Sequence, residues 1–133
     1  MKSTPVHLKS ADICILPGGI MHIHIKKTVE LSIDDSAEIV AARSKLANNK
    51  PYPLLYTATR FVLPSKEVRE YVASEERSSL VIADAFVVNS LPQKIIANTF
   101  LRINKPVRPT RIFKSKKDAI KWLQQFITPE SAI

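Results

Sequence analysis

Apolar residues recur along this chain in two rhythms, one of period two and one of period three to four. Ile13-Cys14-Ile15-Leu16 is a short apolar run closed by Pro17-Gly18-Gly19, and from Ile20 to Lys26 the residues Met21, Ile23 and Ile25 alternate with His22, His24 and Lys26. Period two belongs to a strand with one dry and one wet face, and the glycines between the runs predict an N-terminal hairpin. Ser32-Ile33-Asp34-Asp35 then reads as a capping box, with acids in the first turn where the helix dipole favours them. The helix it opens carries Ile33, Ala37, Val40 and Ala41 as its expected inner stripe and fades at Asn48-Asn49-Lys50-Pro51. Pro53 to Ala58 is the next apolar strand. After the link Thr59 to Pro64, Ser65 caps a helix with Val68, Tyr71 and Val72 inward, which continues or breaks through Ser74 to Ser79 with no end marked by the sequence.

The middle of the pattern is Ala83 to Ile103. Ala83-Asp84-Ala85-Phe86-Val87-Val88 is short and nearly uncharged, as in a strand covered on both faces. Ser90-Leu91-Pro92-Gln93 follows as a helix start: Ser90 caps, Pro92 sits in the first turn where no N–H is missed, and Gln93 completes a capping box. Ile95, Ile96, Thr99, Phe100 and Ile103 form the expected inner stripe, with Lys94, Asn98 and Arg102 opposite. A proline-bounded loop from Asn104 to Pro109 leads to a strand at Thr110 to Phe113, and Ser115 caps a last helix with Ala119, Trp122, Leu123 and Phe126 on one face.

After the hairpin, strands and helices alternate, which predicts an α/β fold: a mixed, mostly parallel sheet of about five strands with the hairpin at one edge and about four helices. Residues 11–127 are expected to form a single domain, with 1–10 a flexible start and 128–133 a frayed tail. At 133 residues such a domain can bury a core without staples. No apolar run approaches the ~20 residues that span a bilayer. His7, Lys9 and Asp12 interrupt the start where a signal peptide would be apolar, and the single cysteine, Cys14, has no partner for an internal disulfide, so a cytoplasmic protein is expected.

Charge changes the picture more than composition does. The net charge of +8 is carried almost wholly by residues 90–133, where Asp118 and Glu130 are the only acids. A basic end of this kind points to an acidic protein partner, nucleic acid or an anionic surface. Catalytic patterns are missing. The two glycines, Gly18 and Gly19, serve the hairpin, and there is no phosphate loop, nucleophile elbow or zinc-binding helix motif. His22 and His24 share a strand face, but zinc sites gather three or four ligands, so no metal or cofactor is expected. Asp84, inside an apolar strand, is a candidate buried acid, with a structural role favoured.

The element order resembles the SpoIIAA-like, or STAS-like, fold of anti-sigma-factor antagonists. The ending sharpens it: Phe113, Ala119 and Trp122-Leu123 resemble the F-x5-A-x2-W-L close of small bacterial SpoIIAA-like proteins, and Ile96-Ala97-Asn98 and Asn104-Lys105-Pro106 fit the same family. Antagonists of that fold carry an Asp-Ser phosphorylation turn between the third strand and the second helix. This chain has Thr57-Ala58-Thr59-Arg60 to Pro64-Ser65 there, which leaves Ser65 as the candidate phosphorylation position by place alone. In open α/β sheets ligands gather beyond the carboxyl ends of the strands. That rule picks out Thr59, Arg60, Ser65, Asn89, Ser90, Lys114 and Ser115 as a candidate ligand or partner rim. The expected function is a non-catalytic regulatory or protein-interaction module that binds a protein partner or itself as a homodimer. Nucleic-acid or anionic-ligand binding through the basic third, and small apolar-ligand or lipid binding, stand as alternatives.

Overall fold

The computed structural model describes residues 5–26, 32–58, 65–73 and 80–127. One sheet holds six strands in chain order: β1 (Val6–His7), β2 (Ala11–Leu16), β3 (Ile20–Ile25), β4 (Tyr52–Ala58), β5 (Val81–Val87) and β6 (Thr110–Phe113). β1, β2 and β3 are antiparallel neighbours, and β3 to β6 run parallel. The helices are α1 (Ile33–Ala47), α2 (Lys66–Ala73), α3 (Leu91–Ile103) and α4 (Lys116–Gln124). The mixed sheet, hairpin and four helices are as the sequence predicts. The sixth strand is β1, two residues long, in a stretch expected to be loose; it pairs Val6 with Ile13 and His7 with Asp12. In the hairpin turn, Gly19 donates its N–H to the Leu16 carbonyl and Gly18 holds φ +98°, the left-handed position that follows proline in a type II turn.

The sheet has two differently covered faces. On one, Ile13, Met21, Ile23 and Leu54 pack against Ile39 and Ala47 of α1. On the other, Ala119 and Leu123 of α4 rest on Ile20, Leu55, Ala83 and Ala85, and α4 crosses β3 to β6. The β4–β5 register shifts between Tyr52 and Leu54, so Val81 joins the α1 core while Ala83 and Ala85 join the α4 core.

Two helices are turned away from their expected stripes. In α1 the buried positions are Asp35, Ser36, Ile39, Arg43 and Ala47, while Ala37 and Ala41 face solvent. Ser36 and the fully buried Arg43 sit on the inner face, and polar residues there disguise the true stripe from any hydrophobicity pattern. In α3 only Phe100 is buried: Ile95 and Ile103, expected in the core, are 57% and 65% exposed. α3 lies against β6, the last strand of the sheet among the described residues, with no described strand beyond it to cover.

Candidate functional site

The predicted rim maps onto helix caps. Thr59 and Arg60 lie outside the described residues. The Ser65 hydroxyl accepts from the Val68 N–H at 3.2 Å, Ser90 from Gln93 at 3.3 Å, and Ser115 from Asp118 at 3.1 Å. Each serine therefore satisfies N–H groups that its own helix leaves open. Gln93 turns its side-chain carbonyl to the Asn89 N–H at 3.3 Å, one residue before the cap the sequence assigned it. Asn89 and Lys114 are exposed at the carboxyl ends of β5 and β6.

Above the same strand ends lies a cavity of about 170 Å³ that the sequence does not announce. Its floor is Ile25, Tyr56, Ala58, Phe86 and Ile112, one face of four adjacent strands. Its walls are Ser36, Ile39 and Val40 of α1, Val68 and Arg69 of α2, and Gln93, Ile96, Ala97 and Phe100 of α3. Tyr56 and Phe86 stack with ring centroids 4.9 Å apart, and Phe100 meets Phe86 edge-on at 6.1 Å. Phe100 thus anchors α3 to the sheet, while Ile96 and Ala97 stay half-buried at the cavity wall.

The outer side of α3 belongs to a second feature. Leu91, Ile95, Ile103 and Val107 are 70%, 57%, 65% and 48% exposed. Residues 90–117 contain no acid and eight cations: Lys94, Arg102, Lys105, Arg108, Arg111, Lys114, Lys116 and Lys117, all exposed. Of these, Lys94 and Arg102 belong to α3 with Leu91, Ile95 and Ile103, and Lys105 and Arg108 to the following loop with Val107. Arg111 lies over Phe113, and Lys116 and Lys117 belong to α4 on the other face of the sheet. The aromatics of this stretch are committed elsewhere: Phe100 is buried, and Phe113 packs on Trp122 at 5.7 Å.

A third feature is the wet face of the hairpin. Thr57 lies opposite His24 in the β3–β4 register, and its hydroxyl is 2.7 Å from His22 Nε2 and 2.6 Å from His24 Nδ1. Beside them, Asp12 Oδ1 accepts from His7 Nδ1 at 2.7 Å and pairs with Lys26 Nζ at 2.9 Å. The hydrogen bond from His7, followed by that from Lys26, holds the Asp12 carboxyl below its ordinary range. All three histidines of the chain are thus on this face. Among the described residues, no group of three His, Cys, Asp or Glu side chains is arranged to hold a metal. Cys14 is buried, and Asp84 is buried within β5 and engaged by a neighbour. No described helix is long and apolar enough to cross a membrane.

A hairpin-edged, mostly parallel sheet with helices on both faces defines the SpoIIAA-like class. A DUF3478-family protein of that fold from Shewanella loihica PV-4 superposes with a TM-score of 0.51 at 10% identity, over 92% of this chain and 95% of its own. At that identity the likeness speaks for the fold alone. Residues 14–127 match the family model described as a domain of unknown function, DUF7793, and the chain belongs to that family. No curated protein matches it.

Proposed function

We propose that this is a non-catalytic regulatory module of the cytoplasm that docks an acidic partner protein through α3 and the loop leading to β6. The observation that carries the reading is the surface of α3 and the loop after it. There Leu91, Ile95, Ile103 and Val107 are exposed alongside Lys94, Arg102, Lys105 and Arg108, in a stretch of sequence, 90–117, that carries no acid. Exposed apolar residues rimmed by charge are the composition of a protein contact, with burial supplying affinity and charge supplying orientation and encounter rate. A second copy fits the surface poorly, since a two-fold contact would set cations against cations. A nucleic-acid strand would want exposed rings for its bases, and the local aromatics are occupied.

The test compares complexes isolated from source cells with the wild-type chain and with Leu91→Asp/Ile95→Asp. The reading expects an acidic protein that co-purifies with the wild type, is lost with the variant, and binds more weakly as salt rises. Recovery of nucleic acid instead, or a dimer in sedimentation that the variant abolishes, would replace it.

A further inference from the structure

Three features converge on the cavity beneath α3: its size, its aromatic floor and its charge. At about 170 Å³ it is close to an engineered apolar cavity of ~150 Å³ that admits benzene, and far smaller than a peptide groove or a drug-sized pocket of ~300–1,000 Å³. The stacked Tyr56 and Phe86 rings offer a flat apolar floor. Among the described lining residues Arg69 alone is charged; it already makes a contact within the fold, and its guanidinium, with five N–H donors, matches a carboxylate or phosphate in geometry. The cavity is partly open to solvent, and where its apolar walls face that open space an occupant with the right outline gains dispersion contacts.

We propose that this cavity is a binding site for a small amphipathic acid, with an apolar body the size of one ring or a chain of about six carbons and an anionic end held by Arg69. The body would lie on Tyr56 and Phe86 and against Ile96, Ala97 and Phe100. Those α3 residues stand back to back with Leu91 and Ile95, so a filled cavity draws α3 onto the sheet and changes the angle at which its outer face is presented. That last step rests on the docking function proposed above; the binding itself does not.

Hexanoate, hexyl phosphate and hexanol, each titrated into the isolated chain and followed by the amide NMR shifts of Phe86, Ala97 and Phe100, test the site directly. The expected result is saturable shifts with the two anions, a dissociation constant in the millimolar range or below, and binding of hexanol roughly tenfold weaker. The tighter of the two anions identifies the head group. Arg69→Leu should erase the preference for the anions, and Ala97→Phe, which fills the void, should block all three probes. Should Ala97→Phe fail to fold, the Arg69→Leu comparison decides alone. Absence of saturable shifts with every probe up to about 10 mM would overturn the site, and equal binding of hexanol and hexanoate would overturn the acidic end. These readings need no partner protein, while the Leu91→Asp/Ile95→Asp comparison needs no ligand, so either proposal can fall without the other.

Discussion

The two faces of the sheet are closed by different means. On the α4 face, β5 presents Ala83 and Ala85, and the absence of bulk lets Ala119 and Leu123 settle fully buried against the strands. On the α3 face the same strand presents Asp84 and the ring of Phe86, and α3 is held off at the height of the Phe86–Phe100 contact. Helix–sheet packing is as close as the smaller partner allows, so the alternation of one strand makes a tight interface on one side and a cavity on the other. Rigidity and vacancy are placed back to back.

The contrast can be broken most strongly through α4. Leu123→Ala should destabilise the chain by roughly 2–5 kcal/mol in denaturant unfolding, whereas Ile95→Ala on the outer side of α3 should change stability by less than about 0.5 kcal/mol. If the two cost the same, the faces are not packed as described. Added bulk sharpens the same point with a smaller effect. Ala85→Leu should cost about 1–3 kcal/mol by forcing α4 outward, while Ala97→Leu extends into open space and should be near neutral or stabilising in thermal melts.

The smallest expected effect is on the uncovered hairpin face. The folded state holds the Asp12 carboxyl below its unfolded value, so its pairing with His7 and Lys26 stabilises the protein above the unfolded carboxyl pKa, about 4, and is lost as pH falls through the lower folded value. Unfolding of Asp12→Asn should therefore differ from the wild type at neutral pH and converge with it in acid. A difference that widened below about pH 4 would contradict the pairing.

Local chemistry was legible in the sequence and distance was not. Ser32, Ser90 and Ser115 cap their helices as the residues around them predict, because a cap is settled within four positions. The alternation from Met21 to Lys26 correctly put His22 and His24 on one face. Their partner Thr57 could not be found that way, since it lies 33 residues beyond His24 and meets it only through the β3–β4 register. The exposure of Ile95 and Ile103 was hidden for a similar reason: a hydrophobic stripe does not say how much sheet lies beneath it. The cavity is further still from the sequence, being the gap that three helices leave between them. Of the rim, Ser65, Ser90 and Ser115 are in place as caps, and what distinguishes the region is α3, where Ile95 and Ile103, core residues by periodicity, are exposed.

Thr57 has one proton to give and two imidazole nitrogens facing it. It can donate to His22 Nε2 or to His24 Nδ1, so the ring it does not serve must carry a hydrogen of its own at the facing atom. The two histidines are thereby interlocked: the tautomer of one restricts the tautomer of the other through a single hydroxyl rotor. Thr57 also borders the cavity on the reverse of the sheet, so one residue near the end of β4 belongs to both faces at once.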